Sequence, residues 1–172
     1  LKEMPLTDQD VVIDFGCGTA RALKPIAKHC RVIGVDFVDA REWECEFVQH
    51  DLTQPLSIKG SKGFCCDVME HIHPKDVKAV LANIMNAVDK CYFQICTVAD
   101  EFGKTVGEPL HLTVKPFWWW AARLSRFGMI RFARQERNHA VFIVQRSVHV
   151  KELDKRIYTS VETRPVDGRG DG

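Results

Sequence analysis

The sequence has almost no surplus of charge, with 24 lysines and arginines against 23 aspartates and glutamates. A global basic field that would draw the chain onto nucleic acid is therefore missing, although a local patch is not excluded. No uninterrupted apolar run approaches the ~18 residues that a membrane-spanning helix needs. The opening stretch, LKEMPLTDQD, has neither the basic region nor the apolar segment of a secretory leader. These absences point to a cytoplasmic protein that stays off membranes. Among the seven cysteines no CxxC pair occurs; Cys65 adjoins Cys66, and four residues separate Cys91 from Cys96. Most lie in apolar, strand-like runs, so buried reduced thiols are expected rather than disulfides or zinc ligands. Internal repeats are also absent.

What is present suffices for one well-buried domain and is short for two: 172 residues, 45% of them hydrophobic. Residues 1–147 are expected to form that domain. Residues 148–172 have weak periodicity and end in RPVDGRGDG, which reads as a partly disordered tail. The Arg169-Gly170-Asp171 triplet within it is read as chance.

Strand-like runs occupy 11–16, 31–37, 46–52, 63–68, 91–98, 129–136 and 139–147, several of them continuously apolar as in a sheet buried on both faces. Helical patterns occupy 20–30, weakened by Pro25, and 74–90, where Val77, Val80, Leu81, Ile84, Met85 and Val88 make one stripe. A third is expected from Pro116 to Phe127, stopped by Gly128. Interleaved strands and helices argue for an α/β domain with a mainly parallel sheet. Segments 39–45 and 53–62 are too short for crossover helices, and Arg137-Asn138 forces a terminal antiparallel hairpin.

The most informative stretch is VVIDFGCGTARAL. A buried strand ends at Asp14, Gly16 and Gly18 let the backbone turn tightly beside a ligand, and a helix is expected to present its free amides there. Dinucleotide loops want a third glycine where this chain has Arg21, which would crowd a pyrophosphate. An acid two residues before Gly16, with Gly18 and small Ala20 after it, fits a cationic amino-acid moiety such as that of S-adenosylmethionine. Asp36 ends the second strand, where a carboxylate can accept both ribose hydroxyls, with Phe37 beside it for an adenine face. Asp51 ends the third, within reach of an adenine amino group. A single aspartate there is commonly a turn former; three at successive strand ends share that explanation less easily.

These residues, with DLTQPL, FCCDVMEHI and LHLTVKPFWWW in this order, resemble the class I S-adenosylmethionine-dependent methyltransferases, in particular a small phage and bacterial group, over residues 8–147. The resemblance implies a Rossmann-like seven-stranded sheet of order 3-2-1-4-5-7-6 with the last strand antiparallel and helices flanking it. It also implies that Asp14, Gly16, Cys17 and Gly18 hold the methionine end, Asp36 the ribose, and Asp51 with Leu52 the adenine. Cys66 and Asp67 would line the methyl-transfer site. Ala20 stands where the family usually has a glycine, and the residues ahead of the first strand leave little room for the family's covering helix. A trimmed chain or a covering partner is the expectation.

Methyl transfer is an in-line displacement that chiefly needs positioning and exclusion of water, with a base only where the acceptor must lose a proton first. His71 is the leading candidate for base or positioning group, backed by Glu70 and Asp67; the competing reading is that Glu70 and His71 cap the helix near Pro74. His111, in a loop that could close over the site with Gly103 and Gly107 giving it mobility, is a second candidate, unless it is bonded within that loop. A metal held by His71 and His73 lacks a third ligand at a recognisable spacing, so none is expected. No base-modifying motif follows the fourth strand, and neither Cys65 nor Cys66 follows a proline. A small-molecule acceptor is expected rather than sequence-specific DNA. The rival readings are a non-catalytic or weakly active cofactor-binding accessory subunit and a nucleotide-dependent oxidoreductase.

The run Trp118-Trp119-Trp120 spans about 200° of a helix and cannot face one core. Phe117, Trp120, Ala121, Leu124 and Phe127 make the buried stripe, Trp118 the flank, and Trp119 with Arg123 and Arg126 the outward face. Trp119 is the expected contact for a homodimer or partner subunit.

Overall fold

A computed structural model describes residues 3–101, 103, 105 and 107–147, so the tail reading and its Arg169-Gly170-Asp171 triplet lie outside the described residues. Seven strands form one sheet: β1 Val11–Phe15, β2 Arg31–Asp36, β3 Glu46–Gln49, β4 Gly60–Cys66, β5 Val88–Cys96, β6 Gly128–Gln135 and β7 His139–Arg146. Their order is β3-β2-β1-β4-β5-β7-β6, with β7 antiparallel to both neighbours and the first five strands parallel. This is the order that the family resemblance implies and the hairpin expected from the two-residue connection.

Apolar runs become central strands because both of their faces are covered. Val12, Ile13 and Phe15 of β1 are fully buried, as is Val35 of β2. One face carries the larger core, where α2 (Val77–Ala87) and α3 (Phe117–Leu124) lay Val80, Leu81, Ile84, Trp120 and Leu124 against Phe15, Phe93 and Phe142. The other face is covered by less. Met4, from the segment before β1, and Leu23, from the single-turn helix after it, pack on Val12, Val32, Phe64 and Ile143 there.

Several expected boundaries move. The first helix shrinks to α1, Leu23–Ile26, with turns around it, because Pro25 and the tight loop before it leave no longer regular stretch. The 74–90 pattern ends at Ala87 and β5 starts at the next residue, Val88, with Val88 extended at φ −133°, ψ 159°. Apolar periodicity could not separate helix from strand where both are buried. β3 stops at Gln49, and β4 starts three residues earlier than expected, at Gly60. Gly128 does not stop a helix: it is the first residue of β6 and is not among the glycines of positive φ. A Cβ there would strike the Gln145 backbone, so close strand packing selects the glycine.

The three tryptophans also rearrange. Trp120 is fully buried as expected, but the outward ring is Trp118, 68% exposed, not Trp119. Trp119 is half-buried against the core, edge-on to Trp120, with the Arg123 guanidinium 3.1 Å from its ring centre. The helix begins at Phe117, which stacks on Phe142 and fixes the rotation, turning Trp119 toward Val77 and Leu81 of α2.

Candidate functional site

Every residue that sequence analysis placed in the site except His111 lies at or just beyond the carboxyl ends of β1 to β4, where parallel strands leave their backbone groups unpaired and a ligand can enter. A cleft of about 700 Å³ is lined by Gly16, Asp36, Phe37, His50, Asp51, Leu52, Asp67, Val68, His71 and Ile72. A second, of about 420 Å³, shares Gly16 and adds Asp14, Cys17 and Cys66. Asp14, Cys17 and Cys66 thus sit on one side of the glycine loop, and the Asp36, Asp51 and His71 set on the other.

The loop is wound by left-handed residues: Gly16 at φ 76°, Gly18 at φ 50° and Ala20 at φ 58°. A Cβ on Gly16 would collide with Val68, while Ala20, fully buried, tolerates a conformation that costs an L-residue about 1–2 kcal/mol. The expected row of free amides is not there. Gly16 and Cys17 donate their N–H groups to the Val35 carbonyl at 2.8 and 3.1 Å, and Gly18 donates to Asp36 Oδ2 at 2.8 Å. The short α1 starts too late to replace them. The N–H groups of Gly16, Cys17 and Gly18 are therefore spent within the protein. Arg21 points away and pairs with Glu42 at 2.5 Å, and the Trp43 indole N–H ties down the Ala20 carbonyl at 2.6 Å.

Asp14 is 7% exposed, and burial, reinforced by the charge of Asp36, pushes its carboxyl up to about 7. Near neutral pH it is thus half-ionised and favours a cation beside it. Burial first, then Asp14 and Asp67, pushes the Cys66 thiol up to about 12, so it lines the site as a neutral group. The seven cysteines are all free, as expected. Asp36 Oδ1 also accepts from the Phe37 N–H at 2.8 Å, and Phe37 stands 73% exposed at the cleft mouth. The Thr53 N–H holds Asp51 below the usual carboxylate range.

Asp67 takes up a left-handed conformation, φ 55°, at the turn after β4. Its carboxylate accepts from Gln94 Nε2 at 3.3 Å and faces His139 Nε2 at 3.3 Å. Beyond it, Met69–His71 form a single 3₁₀ turn, and α2 begins at Val77 with no side-chain cap. Glu70 and His71 consequently do not cap a helix. Glu70 is fully buried; its Oε1 accepts the Cys96 N–H at 3.0 Å, and its Oε2 has no partner.

His111 reaches the site's edge from the loop after β5 and meets His71 edge-to-face, ring centres 4.9 Å apart. It does not line either cleft. The described part of its loop is tied down. Thr113 Oγ1 donates to the Ile72 carbonyl at 2.6 Å, and the Asp100 carboxylate accepts from the N–H groups of Gly103, Leu110 and His111. A Cβ on Gly103 would meet the Glu108 carbonyl and the Asp100 carboxylate, so close packing selects the glycine there. Sequence analysis missed His50, Val68 and Ile72 as cleft walls; His50 precedes Asp51 at a strand end, which could have flagged it.

No family model matches this sequence, and no curated protein sequence matches it. Solved structures do. An O-methyltransferase family protein from Burkholderia thailandensis superposes with a TM-score of 0.65 at 13% identity, over 81% of this chain and 52% of that one. Magnesium protoporphyrin IX methyltransferase from Synechocystis PCC 6803 with bound SAM gives 0.60 at 18% identity, over 79% and 69% of the two chains. The N-methyltransferase NodS from Bradyrhizobium japonicum WM9, in complex with S-adenosyl-L-homocysteine, gives 0.60 at 11% identity, over 79% and 77%. The chain spans about half the length of the first of these. The fold is that of the class I methyltransferases. Among the described residues no helix is long and apolar enough to cross a membrane.

Proposed function

We propose that the chain transfers the methyl group of S-adenosylmethionine to a small-molecule acceptor. The observation that carries this reading is a set of three carboxylates at successive strand ends around one glycine loop. Asp14 is buried without a compensating cation, and Asp36 and Asp51 line the large cleft. Asp14 faces the cationic methionine end of the cofactor, Asp36 the ribose and Asp51 with Leu52 the adenine, while Gly16 lets the ligand cross between the two clefts. Phe37 at the mouth offers an aromatic face to the base. Solved structures of this fold that hold the cofactor or its product support the choice of ligand.

Positioned so, the methyl group points toward Asp67 and His71, and the protein's contribution is alignment and exclusion of water. The acceptor's reacting atom sits over the 3₁₀ turn, within reach of the face that His71 presents. Calorimetry with S-adenosylmethionine and S-adenosylhomocysteine tests the reading: both should bind in a 1:1 ratio, and Asp36→Ala should weaken binding about a hundredfold, the loss of a charge-assisted pair of hydrogen bonds. Absence of binding by the full chain, or Asp36→Ala binding as the parent does, would overturn it in favour of an accessory subunit.

A further inference from the structure

We propose that Glu70, His71 and His111 hold a divalent transition-metal ion of the zinc class at the rim of the large cleft. One ligand atom from each of the three lies within 4.8 Å of the others. Sequence analysis found no third ligand because His111 is forty positions from His71 and comes from a different loop.

The hydrogen bonds around the two rings favour this role. His71 Nδ1 lies 3.0 Å from the Leu110 carbonyl, and His111 Nδ1 lies 2.8 Å from the Val98 carbonyl. A carbonyl can only accept, so each Nδ1 carries a proton, which in the neutral ring leaves the lone pair on Nε2. Fixing a ring through one nitrogen to a backbone carbonyl and leaving the other to a metal is the usual outer-shell arrangement of ligating histidines. The third donor is equally specific. Glu70 is 0% exposed, its Oε1 is spent on the Cys96 N–H, and its Oε2 is a buried oxygen with no partner. Buried polar atoms are rarely left so, and a bound ion is one of the few groups that would satisfy this one.

Tetrahedral zinc, with ligands at about 2.0–2.2 Å, sets its donors about 3.3–3.5 Å apart, so the three must draw together on binding. Two imidazoles and a carboxylate suit zinc, cobalt or manganese better than magnesium or calcium. Three protein ligands leave a position open, and because His71 lines the cleft that position faces it.

What the ion does there rests on the methyl-transfer reading; that it binds does not. An acceptor hydroxyl bound at the open position loses its proton to solvent, and its oxygen forms the new bond to the methyl carbon. The methyl–sulfur bond breaks, and the electron pair leaves with sulfur as a neutral thioether.

Titration of the full chain with Zn²⁺ and Co²⁺, without cofactor or acceptor, tests the site. One ion should bind per chain, and Co²⁺ should give weak visible bands without the intense near-ultraviolet absorption of thiolate ligation. His71→Ala, His111→Ala and Glu70→Gln should each weaken binding about tenfold or more, whereas His73→Ala, an exposed neighbour outside the cluster, should not. Glu70→Gln keeps an acceptor for Cys96, so its loss of metal cannot be laid to a collapsed turn. Failure of both ions to bind, thiolate bands, or stoichiometric binding that survives in His71→Ala and Glu70→Gln would overturn the proposal. Calorimetry with S-adenosylmethionine is read separately, so neither reading's failure masks the other's.

Discussion

Asp10, just before β1, and Asp14, within it, are four residues apart and almost equally buried, 8% and 7% exposed, yet the protein treats them in opposite ways. At Asp10 burial raises the carboxyl, but its partners outweigh that and hold it far below the ordinary range. Lys62 Nζ donates to it at 2.6 Å, Ser61 Oγ at 2.7 Å and the Thr7 N–H at 2.7 Å. At Asp14 burial is uncompensated, the like charge of Asp36 adds to it, and the carboxyl rises to about 7. One end of the sheet is electrostatically finished and serves stability. The other is left incomplete, and a cationic ligand would complete it.

The largest expected effect lies at the finished end. Asp10→Ala leaves the Lys62 ammonium, whose side chain is only 16% exposed, with the Pro5 carbonyl but no counter-charge, and should cost about 3–5 kcal/mol in denaturant unfolding while leaving cofactor affinity within twofold. If that variant instead loses ligand and keeps its stability, the division of labour between the two ends is wrong.

Asp14→Asn should do the reverse, raising stability at pH 8 by about 1–3 kcal/mol and weakening the cofactor at least tenfold. The sign follows from linkage. Asp14 has a folded pKa of about 7 against the ordinary 3.8 of the unfolded chain, so between those values the folded state holds the extra proton, and stability falls as pH rises through that window. The stabilisation from Asp14→Asn should therefore fade by about pH 3, below both values, where the parent carboxyl is protonated in both states. Urea midpoints of parent and variant across that range check this.

A smaller effect concerns the ligand. A cation beside Asp14 prefers the carboxylate, so S-adenosylmethionine affinity should fall about tenfold from pH 8 to pH 6. S-adenosylhomocysteine, which lacks the sulfonium charge, should fall less, and identical slopes for the two ligands would place the sulfonium away from Asp14.

The smallest is Ala20→Gly. Relief of the left-handed strain, about 1–2 kcal/mol, is offset by greater chain entropy when unfolded and by the loss of a buried methyl, so the net change should stay below about 1 kcal/mol. A gain beyond that in thermal unfolding would mean that the methyl contributes little to packing.

The same contrast explains what could be read from the residues alone. The mainly parallel α/β class and the hairpin were legible because continuous apolar runs interleave with helical patterns and a two-residue connection leaves few alternatives. The strand order came only through the family resemblance, and Asp14, Asp36 and Asp51 were legible because strand ends in a parallel sheet converge. Contacts across the chain were not. Nothing local marks Lys62 as the partner of Asp10, and nothing places His111 on His71, since each pairing depends on how distant segments are laid beside one another. Boundaries failed where one composition serves two structures, as at Ala87 and Val88, and Trp119 was turned the wrong way because the stacking of Phe117 on Phe142, not periodicity, sets the rotation of α3.

Trp43, whose indole N–H is bonded to the Ala20 carbonyl, gives the glycine loop an optical readout. Of the four tryptophans in the chain, three are consecutive on α3, away from the loop, and Trp43 alone is fastened to it. With Trp118, Trp119 and Trp120 replaced by phenylalanine, the remaining emission would report the loop's backbone directly, without a label and on the timescale of ligand entry.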